Sequence, residues 1–86
     1  MDESELIARY IEQSPDYGGA AEARLRDYGV SMWALVAHYQ GAGGDINLVA
    51  RDYDLPREAM EAAMAYYRRH KCAIDARIED HVAFFS

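Results

Sequence analysis

Cysteine and long apolar runs are nearly absent from this sequence, and each absence excludes a class of protein. The single cysteine, Cys72, rules out an intrachain disulfide and fits a reducing compartment. No apolar run approaches the roughly 20 residues that a membrane-spanning helix needs. The opening "MDESEL" lacks the basic and apolar regions of a signal peptide. We therefore expect a cytoplasmic protein that does not contact membranes.

Positive charge is also scarce. The formal net charge is −6, which argues against general binding to phosphate backbones or anionic lipids. The charge is uneven along the chain. Residues 55–71 carry four cations and two acids, a net of +2, whereas the remainder carries five arginines and thirteen acids, a net of −8. The only basic segment of the sequence is therefore 55–71.

Side chains that could build a catalytic or metal site are scattered along the chain. His38, His70 and His81 have no histidine or cysteine three or four residues away, which favours packing or surface roles. The glycine-rich "GAGGD" lacks the following Lys-Ser/Thr of a phosphate-binding loop. We expect no metal, no cofactor and no enzymatic activity.

The apolar residues that are present form a limited core. They make up 51% of the 86 residues, but many are alanine or tyrosine. The seven tyrosines favour half-buried or interface positions, where one end of the ring stays wet. The single tryptophan, Trp33, is expected to anchor the core or to serve as an interface residue. Because a domain this small is marginally stable, we expect self-association or a partner protein.

The N-terminal third allows two local structures. Residues 2–13 have helical spacing, with Ser4 as a candidate cap, but "ARYIEQ" also alternates like a short strand, and the pattern does not decide between them. Residues 14–32 are a turn-rich connection. Within it, "ARLRDYGVSM" could pair with residues 8–12 as a small hairpin.

Two short helices are predicted next. Ser31 is a plausible cap for the first helix, which ends at a glycine-rich turn. Asp45 is expected to cap the second, whose apolar face is formed by Ile46, Val49, Ala50 and Tyr53.

The clearest helical pattern begins at Pro56, a residue suited to the first helical position. Apolar residues recur at three- and four-residue steps, and Lys71 interrupts the stripe formed by Met60, Ala63, Met64, Tyr67, Ile74 and Ile78. We predict one continuous helix over residues 56–70. The residues expected to be mostly buried are Leu55, Met60, Ala63, Met64 and Tyr67.

Together, the two helices on either side of Asp54 form a helix-turn-helix pattern. Ala50 is the small residue expected where the two helices cross. Asp54 tolerates the left-handed conformation of the turn, and Leu55 is the apolar residue of the turn that packs into the core. The outward residues of the second helix are predicted to be Arg57, Glu58, Glu61 and Ala62. If DNA is bound, Arg57 would contact bases, and Arg68, Arg69 and Lys71 would contact phosphates. The two glutamates predict weak or no DNA binding by the isolated protein.

The predicted architecture is mainly α: a small helix-turn-helix domain with a short N-terminal β-hairpin and a long C-terminal helix. We interpret residues 1–86 as a single domain, with an N-terminal helix or hairpin segment at 1–30, a helical core at 31–72 and a C-terminal helical extension at 73–86. The extension continues an apolar stripe with no obvious intrachain partner. Its candidate partner-binding residues are Ile78, Val82, Phe84 and Phe85.

The segments "YGVSMWALVAHY" and "GDINLVARDYDLPREAMEAAMAYYRRHKCAID" resemble the family catalogued as domain of unknown function 433, whose members are regarded as antitoxins of type II toxin–antitoxin pairs. The resemblance covers roughly residues 15–75. Met60 stands where the family has a branched aliphatic residue, and "GGAAEARLRDYG" departs from the family's N-terminal pattern. The positions that match the family's motifs are Gly29, Trp33, Tyr53, Leu55, Glu58, Met60, Ala63 and Tyr66 or Tyr67.

The resemblance implies a bacterial or archaeal antitoxin that binds and neutralises a toxin related to PIN-type ribonucleases. It also implies binding to its own promoter and hence autorepression of the operon. The acidic net charge predicts that operator DNA is bound only together with the toxin. The limited core and the apolar C-terminal stripe predict a homodimer or a higher oligomer. The alternatives are a stand-alone helix-turn-helix transcription regulator and a protein-interaction adaptor that does not bind DNA.

Overall fold

The computed structural model describes residues 2–13 and 19–85, and side chains as far as Val82. It is mainly helical, with a two-stranded antiparallel sheet near the N-terminus and a C-terminal helix, as the sequence predicts. The order is α1 (Glu3–Tyr10), β1 (Ile11–Glu12), a 3₁₀ turn (Ala20–Glu22), β2 (Arg24–Leu25), α2 (Met32–Gly41), α3 (Ile46–Asp52), α4 (Arg57–Arg69) and α5 (Lys71–Phe85).

The N-terminal segment contains both of the structures that its pattern allows. It is helical as far as Tyr10 and then forms two residues of strand. Asp2, rather than Ser4, caps α1, because the Asp2 Oδ1 accepts a hydrogen bond from the Glu5 amide at 2.9 Å. In the sheet, Ile11 pairs with Leu25 and Glu12 with Arg24. The predicted pairing is therefore confirmed, although each strand has only two residues.

The helix-turn-helix consists of α3, a tight turn and α4, as predicted. Asp45 caps α3, and its Oδ1 accepts hydrogen bonds from the amides of Asn47 at 3.1 Å and Leu48 at 3.2 Å. Asp54 adopts the left-handed conformation, with φ of 56°. The Leu55 amide donates to the Ala50 carbonyl at 2.8 Å and closes the turn.

The continuous helix predicted over residues 56–70 is confirmed as α4, each end of which lies one residue inside the predicted range. Pro56 lies just before α4 rather than at its first position, since its ψ of 152° is extended while its carbonyl already accepts from Ala59 and Met60. At the other end, His70 leaves the helical conformation, with φ of −127° and ψ of 32°. A new helix begins at Lys71, the residue at which the apolar stripe is interrupted.

The core lies where α4 meets the other elements. Leu55, Met60 and Ala63 are buried as predicted, whereas Met64 and Tyr67 are only half-buried and pack against the core from its edge. Tyr66 is fully buried, and its hydroxyl donates to the Ala20 carbonyl at 2.6 Å. The largest fully buried side chains are Tyr66, Leu25, Met32, Leu35, Met60, Ile74, Val36 and Val49.

Candidate interaction surface on helix α4

One narrow stripe of α4 faces solvent. Residues 57, 61, 64 and 68 recur at four- and three-residue steps and therefore share a helical face. Arg57, Glu61 and Arg68 are exposed, and Met64 is half-buried between them. The Arg57 Nε lies 3.4 Å from the Glu61 Oε1. The stripe thus presents two cations with an acid between them.

The neighbouring face of α4 is covered by α1. Contacts at the two ends of α1 show that the helices run antiparallel: Tyr10 meets Glu58 near the start of α4, and Glu3 meets Arg69 at its end. Ala62 lies between these contacts on the same face and is fully buried. The prediction that Ala62 faces outward is therefore wrong, because α1 occupies the space that solvent would fill.

Polar contacts hold both ends of α1 against α4. The Tyr10 hydroxyl donates to the Glu58 Oε2 at 3.1 Å, and the Arg9 guanidinium lies 3.9 Å from the other oxygen of this carboxylate. At the opposite end, the two oxygens of Glu3 accept from the Arg68 Nη2 at 3.0 Å and the Arg69 Nε at 3.1 Å. These hydrogen bonds, chiefly the one from Arg68, lower the pKa of Glu3 below its usual range.

The four cations predicted to contact DNA do not form one cluster. Arg68 and Arg69 meet at Glu3, whereas Arg57 pairs with Glu61. Arg57 also lies eleven positions before Arg68, which is about 16 Å along a helix.

The fourth cation, Lys71, is paired within α5. Its Nζ lies 2.6 Å from the Asp75 Oδ2, and this contact raises the pKa of Lys71 and lowers that of Asp75. Each of the four predicted DNA-contacting cations therefore already has a carboxylate partner in its own chain.

An open groove lies beside the exposed stripe. Its volume is about 430 Å³, and its walls come from α2, α3 and α4. The Tyr67 hydroxyl donates to the Asp75 Oδ1 at 2.7 Å and accepts from the Gln40 Nε2 at 3.3 Å, which fixes the tyrosine ring in the wall. Burial is the main cause of the raised pKa of Tyr67. The residues that line the groove are Tyr39, Ile46, Glu61, Met64, Tyr67 and Arg68.

Sequence reasoning missed this groove because its residues come from three helices. The apolar stripe placed Met64 and Tyr67 in the core, and both lie instead at its edge. The one sequence signal was the number of tyrosines, which favours rings that are half-buried. Tyr39 and Tyr67 fit that description.

Trp33 links α2 to α5 and to the 3₁₀ turn. The Arg77 guanidinium lies 4.2 Å from the centre of the Trp33 ring, and the Arg77 Nε lies 2.7 Å from the Glu22 Oε1. The His81 ring packs against the Trp33 ring, with the two ring centroids 4.9 Å apart. Trp33 therefore anchors the C-terminal helix to the rest of the domain.

The residues of the predicted C-terminal partner surface differ in how exposed they are. Ile78 is half-buried and packs against the core, so the prediction that it lacks an intrachain partner is wrong. Val82 is 58% exposed. The side chains of Phe84 and Phe85 lie outside the described residues, and their predicted role stays a prediction.

Each histidine has a packing or surface contact. The His38 Nε2 lies 2.9 Å from the Asp52 Oδ2, and His70 stacks on Tyr66 with centroids 4.4 Å apart. Within residues 2–13 and 19–85 no group of three or more histidine, cysteine or acidic side chains could hold a metal ion. Over the same ranges no helix is long and apolar enough to cross a membrane.

The chain was compared with protein-family models, curated proteins and solved structures, and none of them matches it. The resemblance to the antitoxin family is therefore carried by the quoted sequence motifs alone and remains a prediction.

Proposed function

We propose that this chain is a protein-binding helix-turn-helix domain that acts as the antitoxin of a type II toxin–antitoxin pair. The observation that carries the proposal is the position of α1, which lies along α4 and pairs with Arg68 and Arg69. In this arrangement α1 covers one face of α4, the second helix of the motif, and hinders its approach to DNA. The groove beside α4 stays open.

The width of the two packed helices argues against insertion into DNA. The major groove of B-DNA is about 12 Å wide and admits a single α-helix. A helix with its side chains is itself about 10–12 Å across. With α1 packed along it, α4 cannot enter the groove as a recognition helix does.

Electrostatics point the same way. Phosphate binding depends on cations that can replace the counterions of the nucleic acid. Here Arg57, Arg68, Arg69 and Lys71 are each paired with a carboxylate, and the chain has a net charge of −6. DNA would have to displace these carboxylates before it gained any contact.

The open groove suits a protein partner better. Tyrosine, methionine and arginine are enriched in protein interfaces, and the groove is lined by Tyr39, Met64, Tyr67 and Arg68 among others. An apolar side chain from a partner could fill the groove while Glu61 and Arg68 contact its polar flanks. The resemblance supplies the identity that we propose for this partner, a PIN-like ribonuclease.

Neutralisation of the ribonuclease tests the proposal. A PIN-like ribonuclease encoded beside this chain would be purified and its cleavage of a single-stranded RNA measured with increasing antitoxin. We expect inhibition at stoichiometric ratios. Met64→Glu should weaken inhibition about tenfold or more, because a charge would then occupy the apolar groove. Leu48→Glu alters a half-buried apolar residue elsewhere on the helix-turn-helix and should inhibit normally.

Two outcomes would favour the alternatives. Undiminished RNA cleavage in the presence of excess folded protein would argue against an antitoxin and favour an adaptor. Tight, sequence-specific binding of duplex DNA by the isolated wild-type protein would favour a stand-alone transcription regulator.

A further inference from the structure

We propose that α1 is a displaceable cover, and that its release exposes a nucleic-acid-binding face on α4. The proposal concerns two conformations of this chain. It does not depend on the identity of the protein partner, so the antitoxin role and the cover can fail independently.

The first reason is that α1 is weakly held. None of its eight residues is fully buried. Its contact with the core is made by Ile7 and Tyr10, which are only partly buried. An eight-residue helix has little stability of its own. Elements with few buried apolar contacts open at low free energy, well below global unfolding. Helix α1 therefore belongs to the part of the fold that opens first.

The second reason is that the attachment of α1 is strong at one end and weak at the other. Directly after α1, Ile11 is 4% exposed and pairs with Leu25. The Arg26 amide donates to the Tyr10 carbonyl at 2.7 Å, and the Arg26 guanidinium donates to the Ile11 carbonyl at 3.3 Å. These contacts form a fixed point about which α1 can swing away from α4.

The weak end is held by Glu3. Its partners Arg68 and Arg69 are 63% and 43% exposed, and the Arg69 Nη2 also donates to the Ser4 Oγ at 3.1 Å. Ion pairs exposed to this degree contribute little to stability and are screened by salt. Among the described residues, Glu3 is the acid that pairs with both arginines, so its release would free the N-terminal end of α1.

Release of the cover changes the chemistry of α4. Arg68 and Arg69 lose their carboxylate partner and can contact phosphates. Ala62 and Ala65, which are buried in the closed form, add no bulk or charge to the newly exposed surface, so a phosphate backbone can approach closely. The face released by α1 becomes continuous with the exposed stripe of α4 that contains Arg57. Without α1 beside it, α4 presents the width of a single helix.

A charge reversal at Glu3 tests whether α1 opens. Glu3→Arg places a third cation beside Arg68 and Arg69 and should expel the N-terminal end of α1. Glu5→Arg makes the same charge change at an exposed position of the same helical turn and is the matched control. Hydrogen exchange followed by mass spectrometry should show about tenfold or faster exchange of α1 amides in Glu3→Arg only. Unchanged protection of α4 amides would show that the fold is intact.

DNA binding tests what the opening exposes. Fluorescence anisotropy would measure binding to a duplex of random sequence over about 50–200 mM salt. Glu3→Arg should bind more tightly than Glu5→Arg, with a salt slope steeper by about 1.8, since two further phosphate contacts add about 0.9 each. The triple variant Glu3→Arg, Arg68→Gln, Arg69→Gln should lose this added slope.

Two results would overturn the proposal. If α1 amides stay equally protected in Glu3→Arg and Glu5→Arg, then α1 is not a displaceable cover. If the two single variants bind DNA equally while α1 opens in one of them, then net charge rather than the released face controls the affinity.

Discussion

At the scale of single residues, Tyr66 shows the stability that one buried polar group provides. It is fully buried, and its hydroxyl donates to the Ala20 carbonyl at 2.6 Å and accepts from the Gln13 Nε2 at 3.4 Å. Tyr66→Phe removes this donor and leaves the Ala20 carbonyl with only the hydrogen bond from the Ala23 amide at 3.3 Å. We expect a loss of about 1–2 kcal/mol in the free energy of unfolding, measured by urea denaturation.

The matched control is Tyr28→Phe, which removes a hydroxyl from a ring that is 40% exposed. Its effect on the urea midpoint should be negligible. Equal losses in the two variants would show that the Tyr66 hydrogen bond does not contribute to stability.

Residue-level prediction from the sequence succeeded where the chemistry is local. Asp45 as a helix cap and Asp54 as a left-handed residue depend on their own backbone neighbourhood, and both are confirmed. The apolar stripe placed Tyr67 rather than Tyr66 in the core, and that prediction is wrong. Their burial depends on which side of α4 meets the 3₁₀ turn, and that contact joins residues far apart in sequence.

At the scale of elements, the contact between α1 and α4 requires small residues. Ala62 and Ala65 are buried on the covered face, so side chains of α1 can approach the α4 backbone. Ala62→Leu should overpack this contact, lower the stability by about 1–3 kcal/mol and loosen α1. Thermal unfolding would measure the loss.

Ala76→Leu makes the same substitution at an exposed position of α5 and should change the melting temperature little. An undiminished melting temperature in Ala62→Leu would mean that the two helices have room for the added side chain. The close contact inferred from the burial of Ala62 would then be wrong.

The order of the elements was largely predictable, and their packing was not. Capping and turn residues marked α3 and α4, because these signals act within a few residues. The end of α4 at His70 had a weaker signal, which was the interruption of the apolar stripe at Lys71. The covering of α4 by α1 depends on Glu3 and Arg69, which are 66 positions apart.

At the scale of the whole molecule, the composition of the core limits its stability. Four of the six buried residues of α4 are alanine, and alanine buries little apolar area. Self-association would add burial and would make the melting temperature rise with protein concentration. We expect this rise, together with light scattering that reports a species larger than the monomer at tens of micromolar.

Among the described residues, the large apolar side chains of Val82 and Tyr28 are exposed, and Val82 belongs to the surface predicted for self-association. Val82 is 58% exposed on the C-terminal helix, and Tyr28 is 40% exposed in the turn after β2. Since the predicted partner surface contains Val82, Val82→Asp should abolish the concentration dependence while leaving the melting temperature at high dilution unchanged. Tyr28→Asp introduces the same charge elsewhere and should retain the dependence. If the wild-type protein stays monomeric and its melting temperature does not change with concentration, the prediction of self-association is wrong. The additional apolar burial would then have to come from a complex with another protein.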